Sequence, residues 1–393
     1  RFPGFEGEWE EKKLGNLTDR VIRKNKNLES KKPLTISGQL GLIDQTEYFS
    51  KSVSSKNLEN YTLIKNGEFA YNKSYSNGYP LGAIKRLTRY DSGVLSSLYI
   101  CFSIKSEMSK DFMEAYFDST HWYREVSGIA VEGARNHGLL NVSVNDFFTI
   151  LIKYPSLEEQ QKIGKFFSKL DRQIELEEQK LELLQQQKKC YIQKIFSQEL
   201  RFKDEEGNYY KGWNKKQLKD VLEFSNKRTI NENEYPVLTS SRQGLILQSD
   251  YYKDRKTFAE SNIGYFILPK NHITYRSRSD DGIFKFNLNL MIDVGIISKY
   301  YPVFKGIDAN QYYLTLHLNY QLKKEYIKYA TGTSQLVLSQ KDLQNIKTKL
   351  PSYEEQQKIG DFFSEIDRLV EKQSSKVGRL KVRKKELLQK MFV

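Results

Sequence analysis

The sequence predicts an α+β fold in which two α/β domains are each followed by a long helix, with the helices forming an antiparallel coiled coil. The first observation is a duplication: segment 155–172 recurs as 351–368, 196 residues later, with 14 of 18 positions identical. The second is a heptad pattern of apolar residues that runs on from each copy. A repeat unit of about 200 residues is too long for a solenoid. The repeat is therefore interpreted as a whole domain with its own helix.

The duplication divides the chain into four segments. We predict a first domain over residues 1–154, a first helix over 155–200, a second domain over 201–350 and a second helix over 351–393. Each domain opens on the same element, an Arg-Phe pair followed by a tryptophan: Arg1-Phe2 with Trp9, and Arg201-Phe202 with Trp213. Because the chain opens on Arg1, we expect a short N-terminal piece to precede it.

Both domains contain short apolar runs that are separated by Gly, Asn and Ser, which is typical of strands joined by turns. Strands are predicted near 61–64, 67–71, 98–102, 150–154, 264–268 and 294–297. Helices are predicted near 110–117 and 311–328. Each domain is therefore expected to have a mostly antiparallel sheet with a few helices.

The shared segments have the signals of long helices. Ser156 is placed to cap the first helix, and Glu158 and Glu159 lie in its first turn, where the helix dipole favours acidic residues. The predicted seam of the coiled coil alternates steps of four and three residues: Ile163, Phe167, Leu170, Ile174, Glu177, Leu181, Leu184, Lys188, Tyr191 and Ile195, and then Ile359, Phe363, Ile366, Val370, Gln373, Val377, Leu380, Lys384, Leu387 and Met391. Polar seam positions also correspond, Glu177 with Gln373 and Lys188 with Lys384.

The simplest way to bury the apolar residues of both seams is for the two helices to pack on each other. An antiparallel pair relates the two halves by a pseudo-two-fold axis. A helix of about 40 residues is about 60 Å long, which is enough to hold two domains at least one turn of DNA apart, about 34 Å. The alternative is that each helix packs only on its own domain.

The charge of the chain favours a polyanionic partner. Lys and Arg number 63 against 49 Asp and Glu, which gives a formal net charge of +14. The excess lies mostly in segment 201–350, with 24 basic against 16 acidic residues. A basic surface with 26 Tyr and 22 Phe interleaved suits contact with phosphates and bases. A basic protein without a polyanion partner is the alternative.

Other features place the chain in a reducing compartment. Cys101 and Cys190 are far apart and show no zinc or disulfide spacing. No apolar run reaches the roughly 18 residues that a membrane helix needs, and no signal peptide is visible. The expected location is cytoplasmic.

The sequence lacks the common catalytic motifs, among them the P-loop, the HExxH zinc motif, the GxGxxG loop and the Pro-Pro motif of amino-methyltransferases. Asp280-Asp281 is interpreted as a turn, with a metal site as the alternative. The histidines are scattered: His121, His137, His272 and His317. We therefore expect a chain without catalytic residues or a metal site.

Taken together, these features resemble the specificity subunit of type I restriction-modification systems. The resemblance covers the whole chain and depends chiefly on the motif pair at 155–172 and 351–368. It implies that each domain is a target recognition domain for one half of a split, asymmetric DNA sequence, with the gap set by the coiled coil. It also implies a non-catalytic chain that binds no cofactor and recruits two modification subunits, which bind S-adenosylmethionine. Two restriction subunits, which hydrolyse ATP with Mg, are also implied.

Paired loops in the two domains carry the side chains that suit base edges and phosphates, namely Arg, Lys, Asn and Ser. In the first domain the predicted DNA-binding residues are Asn72, Lys73, Ser74, Tyr75, Lys85, Arg86, Arg89, Arg135, Asn136 and His137. In the second they are Ser241, Arg242, Gln243, Tyr275, Arg276, Ser277, Arg278, Thr333, Ser334 and Gln335. For any single residue, the alternative is an ordinary solvated surface charge.

Two other classes of function stay open at this point. A DNA-cutting or DNA-modifying enzyme would need a motif that the sequence lacks. A scaffold with paired helical arms would explain the helices but not the diverged, basic domains.

Overall fold

The computed structural model describes residues 1–2, 4–38, 40–49, 57–74, 78–130, 140, 142–251 and 261–392. The chain forms two compact units: unit 1 comprises residues 1–179 with 374–393, and unit 2 comprises residues 180–373. Each unit therefore contains one domain and part of both long helices. Among the described residues, no helix has the length and apolar character needed to cross a membrane.

Unit 1 contains a four-stranded sheet with the order β2-β9-β6-β7 and three two-stranded pairs, β1-β10, β3-β4 and β5-β8. Its strands are β1 (Glu10–Lys13), β2 (Thr18–Arg20), β3 (Leu34–Ser37), β4 (Gly41–Asp44), β5 (Thr62–Lys65), β6 (Phe69–Asn72), β7 (Ala83–Arg86), β8 (Ser92–Leu95), β9 (Tyr99–Ile104) and β10 (Leu151–Tyr154). Its helices are α1 (Leu14–Leu17), α2 (Gln45–Tyr48), α3 (Lys110–Asp118), α4 (Tyr123–Ile129), α5 (Val144–Phe147), the first part of α6 (Leu157–Phe196) and the last part of α11 (Tyr353–Met391).

Unit 2 repeats this topology, with the sheet order β12-β20-β16-β18 and the pairs β11-β22, β13-β14, β15-β19 and β17-β21. Its strands are β11 (Asn214–Gln217), β12 (Leu222–Ser225), β13 (Leu238–Ser241), β14 (Gly244–Leu247), β15 (Phe266–Pro269), β16 (Ile273–Tyr275), β17 (Arg278–Ser279), β18 (Phe286–Leu288), β19 (Val294–Ile297), β20 (Val303–Gly306), β21 (Leu336–Val337) and β22 (Lys347–Leu350). Its helices are α7 (Gln248–Tyr251), α8 (Gln311–Tyr320), α9 (Tyr326–Tyr329), α10 (Gln340–Asn345), the last part of α6 and the first part of α11.

The predicted fold class is confirmed, since these named strands pair antiparallel and both long helices are present. The stretch predicted as one helix over 311–328 is instead divided into α8 and α9. The break allows Leu322 and Tyr326, both buried, to enter the same core, where the Tyr326 hydroxyl donates to the backbone oxygen of Leu318 at 2.5 Å.

The cores of both units are rich in aromatic residues and include side chains from both long helices. In unit 1, Ile163 and Phe167 of α6 pack with Phe392, which follows α11, beside the domain residue Phe112. In unit 2, Ile195 and Phe196 of α6 and Ile359 and Phe363 of α11 belong to the core of the second domain. The helices are therefore part of each domain's hydrophobic core.

Within each unit the two long helices run antiparallel. In unit 1, Asp171 binds Lys384 at 2.6 Å, and Glu178, further along α6, binds Lys381, which comes earlier on α11. In unit 2, Tyr191 packs on Phe362 with ring centroids 5.2 Å apart, and Lys188 binds Asp367. Each residue of the predicted seam is buried or half-buried in these packings. The helices form the antiparallel coiled coil that the heptad pattern predicts.

The duplicated motif binds each domain to its helix by the same contacts. Glu159 is fully buried and pairs with Arg1 at 2.9 Å, while Glu355 pairs with Arg201 at 3.3 Å. Each arginine belongs to the Arg-Phe element that opens its domain. Each of these two glutamates therefore lies in the first turn of a long helix and also forms an ion pair with the start of its own domain.

The next residue of the motif has a similarly repeated contact. Gln160 accepts a hydrogen bond from the backbone nitrogen of Ser109, the residue that caps α3, at 3.0 Å. Gln356 accepts one from Asn310, which caps α8, at 3.2 Å. The identity of the two motif copies therefore follows from two nearly identical sets of contacts.

Candidate nucleic-acid interface

Two loops of unit 2 that are far apart in the sequence meet at one cleft. The cleft has a volume of about 410 Å³. Its lining includes residues from the β13-β14 turn, from the segment that leaves β16 and from β17; we call it the arginine cleft after three of them, Arg242, Arg276 and Arg278. Several residues that the sequence suggests for DNA binding are thus brought together.

Arg276 follows β16 directly and Arg278 is the first residue of β17, and both side chains are exposed. The Arg278 guanidinium lies over the Tyr300 ring, 5.5 Å from its centroid. Between them, the Ser277 hydroxyl donates a hydrogen bond to the backbone oxygen of Tyr300 at 2.9 Å. The backbone of this segment is therefore held in place, while neither arginine forms an ion pair with a carboxylate among the described residues.

Arg242 lies in the two-residue turn between β13 and β14, and it binds Asp281 at 2.6 Å. Hydrogen bonds from the Ser279 hydroxyl and the backbone nitrogen of Ile283, followed by Arg242, lower the pKa of Asp281. The carboxylate is therefore ionised at neutral pH and orients Arg242, whose side chain is still 62% exposed. Gln243 is exposed beside it, and the Ser241 hydroxyl donates to the backbone oxygen of Gly244 at 2.9 Å.

A third loop adds an amide beside the arginine cleft. Gln335 donates a hydrogen bond to Asp280 at 2.8 Å, while its neighbours Thr333 and Ser334 are exposed. A smaller cleft of about 230 Å³ adjoins the arginine cleft, since Arg276 and Arg278 line both. Asp280 and Asp281 therefore act as hydrogen-bond and ion-pair acceptors, and no group of His, Cys, Asp and Glu that could hold a metal occurs among the described residues.

Lys285 was missed by the sequence analysis but lines the arginine cleft. Burial, and next the charge of Lys188, lower the pKa of Lys285. Its ammonium lies 6.0 Å from the centroid of the Tyr320 ring. The signal was available in part, because Lys285 is a cation between two phenylalanines, Phe284 and Phe286, both of which are buried.

Tyr275 is a core residue and not a surface contact, which corrects its assignment as a DNA-binding residue. It is fully buried, and its hydroxyl donates to the backbone oxygen of Leu338 at 3.0 Å. Its neighbours in β16, Ile273 and Thr274, are buried as well, because β16 is an inner strand of the sheet.

In unit 1, two of the predicted cations are neutralised inside the domain. Lys85 binds Asp118 at 2.6 Å with only 15% of its side chain exposed. Arg86 binds Asp111 at 2.5 Å and Glu114 at 3.2 Å. These carboxylates lie on α3, so both cations connect the sheet to the helix, and this arrangement argues against the predicted contact with DNA.

The other predicted residues of unit 1 differ in their placement. Lys73 donates to the backbone oxygen of Val142 at 3.3 Å, and Asn72 accepts from the backbone nitrogen of Ser74 at 3.1 Å. Arg89 is exposed and lines a cleft of about 670 Å³ with Lys31 and Lys32. Four predicted residues lie outside the described part of the chain: Tyr75, Arg135, Asn136 and His137.

The family model of the type I restriction modification DNA specificity domain matches twice, over residues 6–186 and 210–378. The specificity subunit of the type I restriction enzyme MjaVIII from Methanocaldococcus jannaschii is 24% identical over 320 residues, covering 75% of this chain and 69% of that subunit.

Solved structures show the same fold. The S subunit of a type I restriction-modification system from M. genitalium has a TM-score of 0.59 at 16% identity, covering 100% of this chain and 98% of that chain. A chain from a study of complex assembly and conformational transition of a type I R-M system has a TM-score of 0.50 at 18% identity, covering 98% and 97% of the two chains.

Proposed function

The chain belongs to the type I restriction modification DNA specificity family, and we propose that its two domains each recognise one half of a split, asymmetric DNA target. As a member of this family it is the non-catalytic subunit that recognises DNA sequence. The observation that carries the finer proposal is the pair of adjoining clefts of unit 2, the arginine cleft and the smaller one beside it, where three sequence-remote loops present cations and amides.

The chemistry of the cleft suits base edges in the major groove. Arginine donates two parallel hydrogen bonds to the O6 and N7 of guanine, and glutamine pairs in the same way with adenine. Arg276 and Arg278 are exposed and free of carboxylates among the described residues, so their donors are available. Gln243 supplies an amide in the arginine cleft, and Gln335 supplies one in the smaller cleft. The Gln335 amide is oriented by its hydrogen bond to Asp280.

The antiparallel helices are proposed to fix the gap between the two half-sites. Both α6 and α11 contribute to the core of each unit, so each domain is anchored to the helices by buried side chains and by the motif contacts of Glu159 and Glu355. A change of helix length is then expected to change the gap while the recognised bases stay the same.

The chain is a subunit of a larger system, and its proposed partners are two modification subunits and two restriction subunits. S-adenosylmethionine is assigned to the modification subunits, and ATP with Mg to the restriction subunits. This chain is proposed to bind duplex DNA and no cofactor.

The test is the methylome of cells in which this chain is the only specificity subunit. With Arg276→Ala or Arg278→Ala, we expect the half-site recognised by unit 2 to be relaxed or lost, since a lost bidentate base contact costs about 1–3 kcal/mol. The other half-site should keep its sequence. Lys270→Ala is the matched control, because Lys270 is an exposed cation of unit 2 outside both clefts. Unchanged methylation at both half-sites would exclude a recognition role for these arginines.

A further inference from the structure

A second basic surface lies on unit 2, on the ribbon formed by β11 and β22. Four lysines, Lys215, Lys216, Lys347 and Lys349, line a cleft of about 720 Å³ at this ribbon. We call these four residues the lysine ribbon. Two acidic residues, Asp220 and Glu325, also line the cleft, and Glu325 is engaged by Lys328 at 2.7 Å.

The strand register concentrates three of these lysines on one face. Lys215 stands directly opposite Lys349, and Gln217 stands opposite Lys347. Residues directly opposite in an antiparallel pair point to the same face, so these side chains share one exposed face, while Thr348 and Leu350 are buried on the other. No lysine of the ribbon forms an ion pair with any residue that the structure describes.

The arrangement costs stability in the free protein. Like charges directly opposite each other in a sheet are destabilising, and the pair Lys215–Lys349 has this geometry. A feature of this kind is more easily explained by a bound anion than by folding.

The corresponding ribbon of unit 1 shows that the fold does not require this charge pattern. There β1 and β10 pair in the same register, and Glu11 stands opposite Lys153 where unit 2 has Lys215 opposite Lys349. Lys13 stands opposite Leu151 where unit 2 has Gln217 opposite Lys347. The face thus carries one excess positive charge in unit 1 and three in unit 2.

We propose that the lysine ribbon binds the phosphate backbone of duplex DNA, as a contact separate from the arginine cleft and specific to unit 2. The proposal depends on the proposed function only in requiring that the chain bind duplex DNA. Lysine is a point charge on a flexible stem and suits phosphates without reading bases. An acidic protein surface is a poorer fit, because protein interfaces are depleted of lysine and centre on apolar or aromatic anchors. The apolar residues of this cleft, Trp213 and Leu322, are buried.

The test is the salt dependence of DNA binding by the full chain with Lys215→Gln and Lys349→Gln together. Each lost phosphate contact lowers the slope of log affinity against log salt by about 0.9, so the double variant should be shallower by about 1.8. Between 50 and 200 mM salt its affinity should then fall about 12-fold less than that of the wild type. Binding is measured on a duplex that carries the target sequence identified by the methylome, and on a second duplex in which both half-sites are scrambled.

Matched controls make the outcome decisive. Lys13→Gln with Lys153→Gln removes the same charge from the unit 1 ribbon and should change the slope much less. Thermal unfolding without DNA should show the Lys215 and Lys349 variant to be at least as stable as the wild type, because the like-charge pair is removed.

Three results would overturn the proposal. These are an unchanged slope in the folded variant, an equal change in the unit 1 control, and loss of modification-subunit binding with DNA affinity unchanged. The last would identify the ribbon as a protein-binding surface. Failure of the proposed function would be seen separately, as a wild-type chain with no preference for the target over the scrambled duplex.

Discussion

Units 1 and 2 share a topology and a motif, but they differ in whether their cations are buried in ion pairs or exposed at the surface. In unit 1, Lys85 and Lys384 are largely buried and share the carboxylate of Asp118 at 2.6 and 2.7 Å. In unit 2, Arg276 and Arg278 are exposed at a cleft, without a carboxylate partner among the described residues. The position of a charged residue in the sequence therefore does not show whether its side chain is buried in an ion pair or exposed at the surface.

Strand register and helix caps show how this difference arises. Lys85 on β7 stands opposite Ala70, and its counterpart on β18, opposite Thr274, is Asn287. Asp118 lies nine residues after the cap of α3, and the same position after the cap of α8 is Asn319. The buried ion pair of unit 1 is thus replaced in unit 2 by two amides, each with backbone partners. What the units keep is the attachment to the helices.

The largest expected effect is on the ion-pair cluster of unit 1. Asp118→Ala leaves Lys85 and Lys384 without their shared partner, and removal of one member of a buried pair costs about 3–5 kcal/mol. Denaturant unfolding should show this loss. The control is Asp293→Ala in unit 2, whose carboxylate is 90% exposed and should matter little. Equal stability of the Asp118 variant and wild type would mean that the cluster does not hold unit 1 together.

The same cluster should give unit 1 a distinctive acid response. Burial alone would raise the pKa of Asp118, but Lys85 and Lys384 lower it to about 2. Its stabilisation is therefore complete above the unfolded pKa of about 3.9 and is lost as pH falls toward about 2. The difference in unfolding free energy between wild type and Asp118→Asn should shrink as the pH is lowered from 5 to 2. A difference that is constant over this range would contradict the assignment.

A smaller loss of stability is expected when the glycine in either copy of the motif is replaced by alanine, and the two copies should differ in the size of the loss. A Cβ on Gly164 would lie 2.6 Å from the backbone nitrogen of Phe112, whereas one on Gly360 would lie 2.6 Å from a side-chain oxygen of Asn310. Overpacking costs about 1–3 kcal/mol, and backbone yields less readily than a side chain. We expect Gly164→Ala to lower the free energy of unfolding more than Gly360→Ala does.

The control for this pair lies on the second long helix. Gly378 has no neighbour within 4 Å of a built Cβ, so Gly378→Ala should stabilise the helix by up to about 1 kcal/mol. Unfolding midpoints of the three variants give the order directly. If Gly360→Ala were the more damaging change, the comparison of the two contacts would be wrong.

The sequence predicted the features that depend on local or periodic patterns. The duplication around Gly164 and Gly360, the seam from Ile163 onward and the strand that ends at Tyr154 all leave such patterns. The contact of Arg1 with Glu159 joins residues 158 positions apart. The repeat of the motif therefore marked Glu159 as an important residue, but it did not identify Arg1 as its partner.

The candidate site was only partly predictable, for the same reason. Lys85 and Arg276 look alike in the sequence, and only the packing of α3 shows that Asp118 neutralises the first. Tyr275 follows two residues that are also buried, so strand alternation gave no indication of its place in the core. The convergence of Arg242, Arg276 and Gln335 depends on tertiary structure.

We propose that the two domains recognise separate half-sites and that the long helices set the gap between them. The most direct measurement is methylome sequencing of cells that carry either the wild-type chain or a variant with one heptad inserted after Leu184. A heptad keeps the seam in phase and adds about 10 Å of helix at about 1.5 Å per residue, which corresponds to about three base pairs. We expect from this proposal two half-sites with a fixed gap for the wild type, and the same half-sites with a longer gap for the variant. An unchanged gap with retained methylation would contradict it.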